Sequence, residues 1–206
     1  MKDARNNTEQ GKLMTKLTKR KLQAIETKNR IYETGVELME LKGFENITID
    51  EISKKAGVSV GAFYHYFKSK EDILYKLFEN ADEFMETKSI DTLEGTTATI
   101  KIQSFFEYLA KLYIHYGIDV LKALYKTQTK LFLCKTSVRF VMLHNIVSLG
   151  IEQGELDPDF SADETTKFLF TGARGVALNW CFDNGKFDLV NAMNEYMQRL
   201  LRTIVI

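Results

Sequence analysis

Apolar residues along this chain recur at three- and four-residue spacing, and strand-like alternation is scarce. That period puts them on one face of successive helices, so the pattern predicts an all-α fold. Glycines fall between the periodic segments, and Pro158 is the sole proline. A first helix is expected from about Thr27 to Lys42, with Ile31, Gly35, Leu38 and Met39 on one face and Gly43 as its stop. A second starts at Thr48, which stands to Glu51 as in a capping box, and ends at Gly57. A third runs from about Ser59 to Phe67. A fourth opens at Ser69 and continues through Ile73, Leu74, Leu77, Phe78 and Phe84.

Residues 89–97 are small and polar and read as a loop. Longer helices are expected from about Ala98 to Tyr116, Gly117 to Lys126 and Lys130 to Gln153. After the connection Gly154–Phe160, Ser161 and Glu164 form a second capping box, which opens a helix to about Phe182. Asp183-Asn184-Gly185 reads as a turn, and a last helix spans about Asp188 to Arg202. The one composition shift falls near residues 70–90. It divides the chain into a basic N-terminal arm (1–25), a unit of short helices (26–72) and a larger, aromatic-rich helical region (73–206).

Charge sharpens this division. The formal net charge is zero, yet the first 30 residues hold nine basic and three acidic side chains. Through residue 70 the excess is +5, and the remainder carries −5. A basic front and an acidic back fit a protein that turns one end toward a polyanion. No apolar run approaches the roughly 20 residues of a membrane helix, and the polar N-terminus has no signal-peptide core, so a cytoplasmic protein without a membrane partner is expected. Cys134 and Cys181 lie in apolar helical patterns and are expected to be buried free thiols.

The second and third predicted helices, joined by Ala56-Gly57-Val58-Ser59, have the layout of a helix-turn-helix. Phe63 and Phe67, four residues apart, should face Ile52 and Ala56. That leaves Gly61, Ala62, Tyr64, His65 and Tyr66 on the outer side, beginning after Ser59 and Val60. Gly61 and Ala62 are small enough for the backbone to approach base edges, and His65 can bond a base edge or a phosphate. Tyr64, Tyr66 and Thr48 suit phosphate oxygens, as does Lys70 at the start of the fourth helix. Lys28 and Arg30 extend the basic side as further phosphate or minor-groove contacts.

Residues 27–73 resemble the DNA-binding region of the tetracycline-repressor (TetR) family of bacterial regulators. The likeness rests on Arg30-Ile31, Gly43-Phe44, Thr48, Ile52, Ala56-Gly57-Val58-Ser59, Gly61, Tyr64, Tyr66-Phe67 and Ser69-Lys70-Glu71. Gly35 stands where the family usually has alanine, Met39 where phenylalanine is common, and Ser53 where alanine is usual. The resemblance implies an N-terminal three-helix DNA-binding domain and a larger C-terminal helical domain for ligand binding and dimerisation. It implies a homodimer on a near-palindromic double-stranded operator, released by a small-molecule inducer, and no enzymatic activity. A regulator of the same fold without an inducer (an activator or chromosome organiser) and a helical ligand carrier are the alternatives.

The C-terminal region is less explicit. Phe105, Tyr108, Tyr113, His115, Tyr125, His144 and Trp180 are candidates to line a mainly apolar cavity for an apolar or aromatic molecule. By resemblance, the last two helices pair with the same two of a second subunit, with Gly172, Ala173, Val176, Met193, Met197 and Leu200 at the interface. No metal-ligand spacing, cofactor motif, phosphate loop or nucleophile arrangement is recognisable, so no metal, cofactor or catalytic residue is expected.

Overall fold

The computed structural model describes residues 19–87, 95–126 and 137–206. These form nine helices: α1 (Lys19–Lys42), α2 (Ile49–Ala56), α3 (Val60–Tyr66), α4 (Lys70–Thr87), α5 (Ala98–Tyr116), α6 (Ile118–Lys126), α7 (Val138–Glu152), α8 (Ala162–Phe182) and α9 (Leu189–Leu201). A 3-10 turn, Phe44–Asn46, links α1 to α2. Among the described residues the sole extended pairing is one antiparallel bridge, Leu156 with Val205. Beside it, the Asp157 N–H donates to the Ile204 carbonyl (2.8 Å), so the end of the chain is pinned to the α7–α8 connection.

Local chemistry sets most helix ends. The side chains of Thr97, Ser137 and Asp188 accept a backbone N–H in the first turns of α5, α7 and α9. Ser161 and Glu164 form the expected reciprocal capping box at α8, and their hydrogen bonds hold the Glu164 carboxyl below its ordinary range. After α8, Asn184 and Gly185 take positive φ, as the Asp-Asn-Gly turn requires.

Two boundaries differ from expectation. α1 begins at Lys19 rather than Thr27, so the basic arm expected over 1–25 is helical from Lys19 onward. Leu22 and Ile25 are exposed there, and without a buried apolar stripe the pattern gave no sign of a helix. α7 is described from Val138. The expected start at Lys130, with Phe132 and Cys134, lies outside the described residues, as do residues 1–18.

One apolar core runs through the chain. Ile31, Leu38, Phe44, Ile47, Ile52 and Phe63 bury the inner faces of α1 to α3, and Ile73, Leu74 and Phe78 continue it along α4. Gly35 makes the α1–α4 packing close, because a Cβ there would meet Ile73 Cδ1 at 2.7 Å. Its lack of a side chain is therefore used in packing, although a mid-helix glycine lowers helix propensity by about 1 kcal/mol. Behind this unit, α5 is buried among α7, α8 and α9. α6 reaches forward to the 3-10 turn, where Lys126 and Glu45 pair at 3.0 Å. That pair holds the Glu45 carboxyl below its usual range.

Candidate nucleic-acid interface

The sequence Ser53 to Phe67 folds as a supported surface helix. Gly57 takes φ 66° and ψ 38°, and its N–H donates to the Lys54 and Ser53 carbonyls, closing α2. The Val58 N–H donates to the Ser53 carbonyl (2.9 Å), which tightens the turn. Ser59 then caps α3, its Oγ accepting the Ala62 N–H at 3.1 Å. Phe63 is fully buried, and its ring lies 5.9 Å from that of Phe67, which is buried too. Burial of a side chain of this size stabilises by about 1.5–3 kcal/mol.

The opposite face of α3 is open. Tyr64 is 54% exposed, and Val60, Gly61 and His65 are exposed with it. Ala62 is half-buried. Tyr66 is less available than expected: it packs partly against the core, edge-on to His65 at 4.9 Å. Gly61 is the most telling position. A Cβ there would meet nothing nearer than Ser59 Oγ at 3.9 Å, and its backbone is ordinary helix. Neither folding nor packing needs this glycine. The space its missing side chain leaves lies outside the protein.

Three expected contact residues face inward instead. The Lys70 ammonium donates to the carbonyls of Phe44 (2.9 Å), Ile47 (3.2 Å) and Glu45 (3.5 Å), and sits 4.5 Å over the Phe44 ring. An ammonium has three donors, and these are turned to the 3-10 turn. Lys70 thus fastens α4 to the α1–α2 connection. Arg30 Nε donates to the Ala56 carbonyl (2.8 Å) at the end of α2, where a cation complements the helix dipole. Lys28 reaches over the Phe67 ring at 5.8 Å. At α2, Thr48 Oγ accepts the Glu51 N–H (3.2 Å). The Glu51 carboxylate pairs with Lys42 rather than closing the capping box.

The aromatic residues expected to line a cavity are mostly elsewhere. Phe105 is core, with its ring edge-on to Phe106 and Phe170. Trp180 is buried and donates to the Phe187 carbonyl (3.2 Å). His115 is exposed, and half-buried His144 stacks on Phe140 at 6.2 Å. Tyr108 packs partly against the core. Tyr125 donates to the Arg174 carbonyl (3.3 Å), and burial pushes its phenol upward, so it stays protonated. Tyr113 alone of the seven borders a described cavity, of about 20 Å³, with Leu109, Ser137, Arg139, Phe140, Phe170, Ala173 and Arg174. The two arginines escaped the sequence reading. A signal was there: Arg139 precedes Leu143 and Ile146 at helical spacing, a cation on the buried stripe of α7.

The expected dimer residues divide similarly. Ala173, Val176, Met193 and Met197 are buried in the chain's own core. Gly172 admits α9 of the same chain, since a Cβ would meet Leu200 Cδ1 at 2.6 Å and Tyr196 at 2.8 Å. The apolar groups left outward on α8 and α9 are Phe168, Phe182 and Tyr196. A recess of about 350 Å³ adjoins Phe168 and is lined also by Phe160, Glu164, Thr165, Thr203 and Ile204. Among the described residues no group of His, Cys, Asp and Glu could hold a metal ion, and no helix is long and apolar enough to cross a membrane. Cys181 is a buried thiol, pushed up to about 11 by burial.

A capped helix-turn-helix on an all-helical companion region defines a DNA-binding transcriptional regulator. Residues 31–77 match the family model described as bacterial regulatory proteins, tetR family. The chain is 28% identical to the fatty acid metabolism regulator protein of Bacillus subtilis (strain 168), over 85% of this chain and 94% of that one. It is 31% identical to the probable HTH-type transcriptional regulator YttP of the same organism, over 66% of this chain and 68% of the relative. Among solved structures it is similar to the transcriptional regulator FadR from Bacillus subtilis in complex with stearoyl-CoA, at 26% identity and a TM-score of 0.57, covering 84% of this chain and 96% of that one. The chain belongs to the TetR family of bacterial regulators.

Proposed function

We propose that this regulator is a repressor that binds a near-palindromic operator as a homodimer and is released by an amphipathic small molecule. The outward face of α3 supports the DNA-reading role, and Gly61 carries it: a glycine that the fold does not use, on the one open face of a capped helix. Gly61 and Ala62 let the backbone approach base edges, and His65 reads a base. Val60 lies beside them. Tyr64, Tyr66, Thr48 and Ser59 hold phosphates and set register. Lys28 adds positive charge, and Arg30 does so from a guanidinium already anchored to α2.

In this reading a second copy covers the outward stripe of α8 and α9, from Phe168 past Gly172 and Gly175 to Phe182, with Tyr196 and Leu200. The two α3 helices then enter successive major grooves about 34–36 Å apart. The likeness to a regulator solved with stearoyl-CoA supports an acyl-CoA or a related amphiphile as the releasing molecule. The ligand acts by its difference in affinity between the DNA-fitting and non-fitting states.

Selection of bound DNA from a random pool, with and without stearoyl-CoA, tests this. We expect an inverted repeat with half-sites about 10 base pairs apart, centre to centre, or a multiple of that spacing. The repeat should be depleted from the bound fraction when the acyl-CoA is present. An asymmetric consensus, or binding indifferent to amphiphiles, would overturn the dimeric and ligand-responsive parts respectively.

A further inference from the structure

The small cavity between α5, α7 and α8 has an unusual lining for its size. Arg139 is 6% exposed and Arg174 half-buried, and both face it with no carboxylate among its lining residues. Its apolar wall includes Phe140 and Phe170, whose rings stack at 6.1 Å. Cationic groups held in apolar surroundings favour an anionic partner, since the low local dielectric strengthens the attraction. Arg139 also reaches beyond the cavity. Its guanidinium carbon lies 5.7 Å from the ring centroid of Phe78, a fully buried residue of α4. α4 is the helix that Lys70 fastens to the helix-turn-helix.

We propose that Arg139 and Arg174 receive the anionic group of an amphipathic ligand, and that Arg139 transmits its arrival to α4 through Phe78. This rests on the ligand-responsive reading above and assigns that ligand's charge a place. A cavity of about 20 Å³ holds roughly one water. An alkyl chain with a carboxylate or phosphate cannot share it with both arginines as they stand. The ligand therefore selects a state in which the walls have parted and the Arg139 guanidinium has turned from the Phe78 ring to the anion. Loss of that cation–π contact frees α4 to move relative to α7. The ligand's preference for the parted state is the differential affinity that release from DNA requires.

Calorimetry on the full chain with lauroyl-CoA, laurate and dodecanol separates charge from chain. Release of selected operator DNA is followed in parallel by fluorescence anisotropy. We expect the wild type to bind lauroyl-CoA or laurate more tightly than dodecanol, and the stronger of the two anions tells a CoA ester from a free acid. Arg139→Gln should weaken the anionic probe roughly 10–100-fold, as for hydrogen bonds to charged groups, and leave dodecanol within about twofold. Arg174→Gln lies at a half-exposed position, which protects the test if the buried variant folds poorly, and should move the same ratio. Equal losses for charged and uncharged probes in both variants, or no loss in either, would overturn the assignment while ligand response stands. If the wild type binds none of the probes and none releases DNA, the ligand-responsive reading falls with it.

Discussion

Helices α3 and α5 are both rich in aromatic residues, yet they treat them in opposite ways. α3 is short, lies at the surface and divides its rings by chemistry: Phe63 goes fully inside and Tyr64 stays half outside. α5 lies among α7, α8 and α9, and there Phe105, Phe106 and Tyr113 are all buried, the tyrosine included. A surface helix shows its function in the residues that folding leaves over. A central helix has few left over, so its aromatic content describes packing. The part of the C-terminal region that resembles a ligand site is marked by two arginines, not by the aromatics.

Substitutions can break or sharpen this contrast. Phe63→Ala should have the largest effect, a loss of about 3–5 kcal/mol in urea unfolding, because it opens a cavity at the base of α3. Gly35→Ala should destabilise by about 1–3 kcal/mol, since the added methyl meets Ile73, and Ile73→Val should recover part of it. Helix propensity alone predicts the opposite sign, a gain of about 1 kcal/mol, so the sign decides whether α1 and α4 meet as described. Lys70→Ala should cost about 1–2 kcal/mol of stability through lost carbonyl contacts and weaken all DNA sequences alike. Tyr64→Phe should leave thermal stability unchanged and lower operator affinity by about two- to tenfold. A fall in melting temperature with unchanged DNA affinity would make Tyr64 a structural residue like those of α5.

The DNA-binding unit was legible because its determinants are local. Ser59 capping α3, Gly57 closing α2 and the four-residue step from Phe63 to Phe67 are all decided within one or two turns. Long side chains misled, because their partners are set by tertiary structure. Lys70 finds carbonyls more than twenty residues away, and Glu51 finds Lys42 across the α1–α2 corner. The C-terminal region is decided almost wholly by such distant partners. Gly172 fits Leu200, and Trp180 fits Phe187 past an intervening turn. Helix periodicity placed these helices well, but it could not say which face each one turns to which neighbour.

The central claim is that the outer face of α3 is shaped for DNA rather than for the fold, and Gly61→Ala tests it most directly. The added methyl meets no protein atom closer than 3.9 Å. We expect the variant's thermal midpoint to match or exceed the wild type's while affinity for the selected operator falls about tenfold or more, equivalent to 1.4 kcal/mol. Unchanged operator affinity in a stably folded variant would contradict the claim.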